Sequence, residues 1–415
     1  MNNKVKLLFI IIMMSLLIFV GCDENRAVNR YIKSNYSAID LEDDTDFSGL
    51  TIMDSDLEGK KIFLTGEAHG VAVNHELDLK FLKYFKDRAG VKYYLAETSY
   101  SSAHFINKYL NTGDEKYLED TYRQLKGTNT WSKNSYNFWK ELYDYNQTLP
   151  NEEKIQVVGV DIEHQKINAY RFFLDVLPDQ EPPEEIQEKI YNIKNIYSSI
   201  ETMGSSQILR SSEELKRDME DNKSIYQEYL GEDFIGFNLV NTNLINSARA
   251  YSVGQNYVRW NDTRDRMMYE NFRIIHDQLP EGKYYGQWGS EHIYQSKMND
   301  IMWFAAHLNS EGSEFQNKIL SILYQYDECE RMSISPTGSY SATQINFYSG
   351  QFKRINDEVG GDLNIYKLTG EDSPFLELPM SNSRTGEMLE EAILDFYQYR
   401  VFIKNSPATE PLGVE

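Results

Sequence analysis

Cysteine is nearly missing from this chain. Among 415 residues only Cys22 and Cys329 carry a thiol, too few for a disulfide framework, so the fold must rest on an apolar core. Cys329 reads as a small buried hydrophobe. Positive charge is also scarce. Lys and Arg number 42 against 64 Asp and Glu, for a net charge of −22, which argues against a nucleic-acid partner, since that needs clustered basic residues. What remains is a solvated acidic surface. No Gly-x-Ser-x-Gly is present, which speaks against a serine nucleophile on a sharp elbow. No His-Glu-x-x-His or Cys-x-x-Cys spacing marks a metal site. No internal repeat stands out.

The long apolar run is confined to the N-terminus. Lys4 and Lys6 give a basic start, Leu7 to Val20 is apolar, and Gly21-Cys22 closes it before Asp23-Glu24-Asn25. The run is short for a membrane span and reads as a processing segment. It resembles a bacterial lipoprotein signal cut before Cys22, with Phe19 where that pattern usually has Leu. The expectation is a protein held by lipid on Cys22 to the extracytoplasmic side of the cell membrane. Residues 22–59, with Asp43, Asp44 and Asp46, read as a tether and lead-in.

The rest is globular in composition, with 41% hydrophobic and 26% charged residues, and long enough for a large α/β domain with an added lobe. The 30 tyrosines each offer a flat apolar body and a polar tip, suited to lining a cleft. Short apolar runs predict strands over Lys61–Thr65, Val91–Ala96, Ile155–Val160, Lys283–Trp288, Ile319–Tyr326, Leu363–Leu368 and Tyr399–Lys404. Helical spacing predicts helices between them, beginning with Leu77, Phe81, Leu82 and Phe85. Residues 184–254 read as an added helical lobe. Ser296–Leu308 reads as a helix, Ser333–Ser349 as a loop or lid, and Glu387 as the start of a short helix. Alternating strands and helices imply an α/β fold, a mostly parallel central sheet flanked by helices.

The polar residues at strand ends are then the informative ones. Lys61-Ile-Phe-Leu-Thr-Gly-Glu-Ala-His-Gly70 is a buried strand that stops and hands over a carboxylate and an imidazole. Glu97, Asp161 with His164, and Glu291 with His292 follow later strands in the same way. Parallel strands place such ends along one edge, where ligand sites of open α/β sheets lie. Solvated turns would explain one such end; convergence of four points to a cleft. His69, His292, Glu67 and Glu97 could ligate a divalent ion, or a histidine held by carboxylates could activate water.

Several motifs resemble the erythromycin esterase family. They are Gly66-Glu67-Ala68-His69-Gly70 with His75-Glu76 after it, Ala96-Glu97, and Tyr145-Asn146 ahead of the strand bearing Gly159 and Asp161. Arg264-Asp265-Arg266-Met267-Met268-Tyr269-Glu270-Asn271 is similar to that family's Arg-Asp-x-x-Met-x-x-Asn helix, and a strand ending in His292 follows. Asp395-Phe396 and Pro407–Leu412 are similar to its closing segment. Together these stretches span about residues 60–412.

The resemblance implies a hydrolase acting on an ester or lactone. His69 would be the general base, and Glu67 and Glu97 would orient it or the water. Arg264 would pair with a carboxylate or oxyanion, sharing its helix face with Met268 and Asn271. His292 would hold the water or polarise the carbonyl, and His75, Asp161, His164 and Glu291 would line the substrate. The sequence departs from the family at three places: Glu-x-His for Glu-x-x-His, Lys80 where an arginine is expected, and Ser290-Glu291 for His-Asn. The first leaves His75 as an alternative base. The partners implied are a small-molecule substrate and the membrane; no cofactor is needed. Two other readings stay open: a haem- or metal-binding lipoprotein or metal-dependent hydrolase using the same cleft, and an interaction module without turnover.

Overall fold

β2 (Ile62–Glu67) is buried at every position, which suits a central strand covered on both faces. The structure is a computed structural model that describes residues 26–335, 337–347 and 350–413; Cys22 and the signal-like segment lie outside them. In chain order the other strands are β1 (Tyr36–Ala38), β3 (Val91–Ser99), β4 (Gln156–Asp161), β5 (Lys283–Gly289), β6 (Ile319–Ile334), β7 (Tyr340–Phe347), β8 (Leu363–Lys367), β9 (Pro379–Ser381), β10 (Met388–Ala392) and β11 (Tyr399–Lys404). One sheet runs β1-β8-β11-β6-β2-β5-β3-β4, and β7 pairs with an extension of β6. From β11 to β4 every pairing is parallel, while β1–β8, β8–β11 and β6–β7 are antiparallel. The fold is the expected α/β one.

The helices are α1 (residues 26–34), α2 (Val73–Ala89), α3 (Tyr100–Thr112), α4 (Glu115–Arg123), α5 (Lys133–Gln147), α6 (Lys166–Val176), α7 (Glu184–Ser199), α8 (Ser205–Asp221), α9 (Lys223–Leu230), α10 (Phe234–Ser252), α11 (Tyr257–His276), α12 (Phe304–Leu308) and α13 (Gly350–Val359). Strand alternation sorts the core into two faces. Phe63 joins Phe81, Phe85 and Tyr285 on one side, while Ile62 and Leu64 join Phe272 and Trp288 on the other. Each such side chain contributes roughly 1.5–3 kcal/mol by burial. α7 to α10 share a third apolar cluster with Phe105 and α6. The Gly254 break falls between α10 and α11, where Asn256 caps α11 by accepting the Arg259 N–H (3.0 Å).

Four expectations are corrected. Residues 26–59 are part of the fold rather than a tether: Val28, Ile32, Leu50 and Met53 are buried, and β1 pairs with β8 at the sheet edge. Ser296–Leu308 is helical only from Phe304, because Asn299 and Asp300 adopt positive φ (57° and 64°). Asn and Asp tolerate that region as single residues, not as helix. Ser333–Ser349 is largely strand, in β6 and β7, with 336, 348 and 349 outside the described residues. Glu387 precedes strand β10 rather than a helix, in a turn with Gly386 at φ 73°.

Candidate active site

The ends of β2, β5, β3 and β4 lie side by side in that order. β2 delivers Glu67 and, past the turn, His69. β5 stops at Gly289 and bends back to His292, whose N–H donates to Gly289 O (3.0 Å), while Ser290 N–H donates to Glu67 O (2.9 Å). The turn after β2 depends on Gly70, at φ +91°. A Cβ there would lie 2.8 Å from Met332 O, on the part of β6 that crosses the turn and donates Met332 N–H to Gly70 O (2.8 Å).

The side chains form two hydrogen-bonded groups. In the first, His69 Nδ1 pairs with Glu67 Oε1, and Glu67 Oε2 accepts from the Asn74 amide. Asn74 also donates to Ala68 O (3.0 Å), and Tyr326 OH donates to Asn74 Oδ1 (2.9 Å) and accepts from Ala68 N–H (3.0 Å). Asn74 and Tyr326 thus fix the Glu67 carboxylate and the backbone leading to His69. The Glu67 anion raises His69 to about 9, against the opposing pull of burial and with help from Glu97. The imidazole keeps 52% of its side-chain surface open and lines both cavities of the cleft.

The second group centres on Arg264 of α11. Its Nε donates to Asp161 Oδ1 (3.0 Å), and Nη2 donates to Asp161 Oδ2 (2.5 Å) and Glu97 Oε1 (2.8 Å). Only 12% of its side chain is exposed. Glu97 Oε2 accepts the Gly289 N–H (2.8 Å). Burial pushes Glu97 up, but His292, Arg264 and His69 outweigh it and hold the carboxyl at about 2. Asp161 is likewise pushed up by burial and carried well below the usual range by Arg264 and His164. His292 Nδ1 pairs with Asp265 Oδ1 (2.7 Å), and Nε2 faces Arg264 Nη1 (3.3 Å) and Glu97 Oε1 (3.5 Å). Burial lowers His292, but Asp265 and Glu97 raise it above its ordinary value. The two imidazoles flank Gly289: a Cβ there would stand 3.2 Å from His69 Nε2 and 3.4 Å from His292 Cδ2.

Glu67, His69, Glu97, Asp161, Arg264 and His292 therefore meet in one cleft. His164 joins through Asp161 (3.0 Å) and Tyr251 OH (2.9 Å). His75 lines the same cleft, lowered to about 4 by burial, with Glu67 opposing and His69 adding. Glu291 turns to the rim, where its carboxylate is taken by Tyr257, Asn299 and Ser383. Glu97 makes no hydrogen bond to His69 among the described residues; its partners are Arg264 and Gly289. Lys80 lines neither cavity of the cleft and donates to Asp43 O.

Sequence reasoning placed Arg264 in the cleft but gave Asp265 no role. Asp265 is fully buried and also accepts the Phe304 N–H (2.7 Å). A signal was present: Asp265, Met268 and Phe272 fall at i, i+3 and i+7, the apolar face of α11.

A metal ion does not fit this donor set. The Arg264 guanidinium already fills the space between Asp161 and Glu97, and Glu67 is committed to His69 and Asn74. Among the described residues no three His, Cys, Asp or Glu side chains are grouped to hold an ion.

Two cavities, of about 1400 Å³ and 450 Å³, open onto the cleft and share Glu67, His69 and Asn129. The arrangement suits proton transfer at His69 beside a cationic group at His292 and Arg264, that is, attack of a nucleophile on a polarised carbonyl.

Comparison with known proteins gives a family and a fold. The erythromycin esterase family model matches residues 87–302, slightly more than half of the chain; it takes in Glu97, Asp161, Arg264 and His292 and begins after His69. Three solved structures are similar. A Bacillus cereus protein has 14% identity and TM-score 0.68, covering 93% of this chain and 99% of its own. A succinoglycan biosynthesis protein has 13% identity and TM-score 0.68, covering 94% and 99%. A mutant of an erythromycin esterase in its open conformation has 14% identity and TM-score 0.64, covering 91% and 100%. At such identities the likeness is one of fold. No curated protein sequence matches the chain.

Proposed function

The chain belongs to the erythromycin esterase family, and we propose that it is a hydrolase that opens an ester or lactone with water activated by His69. The observation that carries this reading is the pair of imidazoles across Gly289, one backed by Glu67 and the other by Asp265. A water at His69 Nε2 gives its proton to the ring as its oxygen attacks the acyl carbon. The carbonyl π pair moves to the oxygen, which His292 and Arg264 face as donors. Collapse re-forms the carbonyl and breaks the bond to the leaving oxygen, which takes the proton back from His69. Glu67 stabilises the imidazolium between these steps. Positioned acid–base groups contribute roughly 10²–10⁴-fold, and donors to a developing oxyanion roughly 10²–10³-fold. No step needs a metal.

The N-terminal pattern supports a lipid anchor on Cys22, which would hold the enzyme at the outer face of the cell membrane. No helix of the described residues is long and apolar enough to cross a membrane.

The test is turnover of an ester and lactone panel, with and without chelator. Chelator-resistant hydrolysis is expected, with kcat reduced roughly 10²–10⁴-fold in His69→Ala. Loss of turnover on chelation, or unchanged turnover in both His69→Ala and His292→Ala, would overturn the mechanism.

Gly289→Ala separates activity from folding. The new Cβ, 3.2 Å from His69 Nε2, displaces one imidazole. A shift of about 1 Å can lower turnover by ~10²-fold. Gly289 has no positive φ, so alanine adds no backbone strain, and the stability loss should stay within the ~1–3 kcal/mol of local overpacking. Thermal melts and kcat on one preparation check both.

A further inference from the structure

The Glu67–His69 pair stands where the two cavities meet, so a bond cleaved there has one half of its substrate in each. Phe352, Phe375, Leu378, Met380 and Ile393 give the larger one an apolar wall, facing a polar side that carries Arg331, Arg384 and Arg400. The smaller one carries the carboxylates of Glu67, Glu97 and Asp161, the last two paired with Arg264. It also holds hydrogen-bond acceptors that have no donor, as the larger one does at Gln325 Oε1. Gln287 Oε1 and Asn129 Oδ1 are buried without a partner among the described residues, and Asp78, itself buried, offers Oδ1 beyond the oxygen that takes the Tyr94 hydroxyl. Buried acceptors of this kind disfavour a ligand that cannot donate to them. The carboxylates disfavour an anion. Flat aromatic side chains, including Tyr94, Tyr122, Phe138 and Trp139, wall the same space and accept the C–H face of a ring. At about 450 Å³ it falls in the ~300–1,000 Å³ range of small-ligand pockets.

We propose that the substrate is an ester of a hydrocarbon-rich acid with a compact hydroxylated alcohol, a polyol or sugar-like ring. The acyl half lies in the larger cavity and the alcohol half in the smaller. This rests on the hydrolase reading above and adds which chemistry each side of the scissile bond carries. Water supplies OH to the acyl carbon and a proton, by way of His69, to the alcohol oxygen, so the hydroxylated product is released into the smaller cavity.

The experiment uses the full chain and octanoate esters of methanol, glycerol, glucose and choline, with methyl acetate as the short-acyl reference. The glyceryl or glucosyl ester should exceed the methyl ester in kcat/KM by at least ~10-fold, the discrimination of one or more satisfied buried acceptors. Thr98→Trp, which narrows the smaller cavity, should lower the glucosyl-to-methyl ratio at least ~10-fold. Thr130→Trp, on an exposed part of the same lining, gives the same readout if Thr98→Trp fails to fold. Thr385→Trp, in the larger cavity, should instead lower the octanoate-to-acetate ratio. Absence of any preference for the hydroxylated esters, preference for the choline ester, or a glucosyl-to-methyl ratio unmoved in the folded tryptophan variants overturns the proposal while the hydrolase reading stands. Failure of the wild type to turn over any ester overturns the hydrolase reading itself.

Discussion

Arg264→Ala should destabilise the fold by about 3–5 kcal/mol, the range for breaking a buried ion pair by removing one partner. The reason lies in what stays behind. Asp161 keeps 2% of its side-chain surface and Glu97 13%, and both would remain charged at neutral pH with their main cation gone. His164 and His292 soften the loss, which sets the expectation nearer the lower bound. The sign with pH follows from the lowered carboxyl values. A carboxyl whose folded value is depressed contributes stability above its unfolded value near 4, and loses it as pH falls through the folded value, about 2 for Glu97. The variant's deficit should therefore be full from about pH 5 upward and shrink as pH falls below 4. Denaturant melts of both proteins at pH 7 and pH 3.5 measure it. Arg264→Lys keeps the charge but not the planar fork that reaches Asp161 and Glu97 together, so it should fall between the two. An equal deficit at both pH values would mean that Arg264 acts by packing rather than charge.

How far the sequence could be read follows from the physics of each signal. β2 was legible because a fully buried strand is a continuous apolar run and Gly66 ends the run just before the two site residues. Convergence at the sheet edge was legible because parallel topology dictates it. The Arg264 face followed from helix periodicity, with Asn271 confirming it by donating to Val160 O (2.8 Å). What escaped depended on tertiary packing. β7 is largely exposed, so no apolar alternation marked it, and its serines and threonines resembled a loop. Asp265 is buried by its place on α11, beside an arginine that alone drew the site reading. Asn74 and Tyr326, 252 residues apart, meet only because the β6 extension crosses the turn after β2. Glu291 lines the larger cavity but is held at its rim by Tyr257, Asn299 and Ser383, partners that come from loops and α11 and leave no local signal.

The pH dependence of kcat/KM should rise about 10-fold per unit from pH 6 to beyond 8 and level off near 9, because the base must be neutral to act. Glu67 makes His69 a strong base and, by the same interaction, keeps it protonated: with a value of about 9, about one ring in a hundred is neutral at pH 7. Glu67→Gln removes the anion that causes the shift, so the rising limb should move to lower pH, and the variant's deficit should be smallest in acid. The same ion pair gives stability an opposite slope. A histidine raised above its unfolded value near 6.5 contributes fully below that pH and loses the contribution as pH rises through about 9, so thermal stability should fall over the interval where activity climbs. His75 supplies the competing outcome. Burial holds it at about 4, already neutral across this range, so a His75 base would give a flat profile above pH 5 that disappears in His75→Ala and survives in His69→Ala. Because the two imidazoles line one cavity with values on either side of neutrality, the slope of a single profile between pH 6 and 8.5 is enough to assign the base.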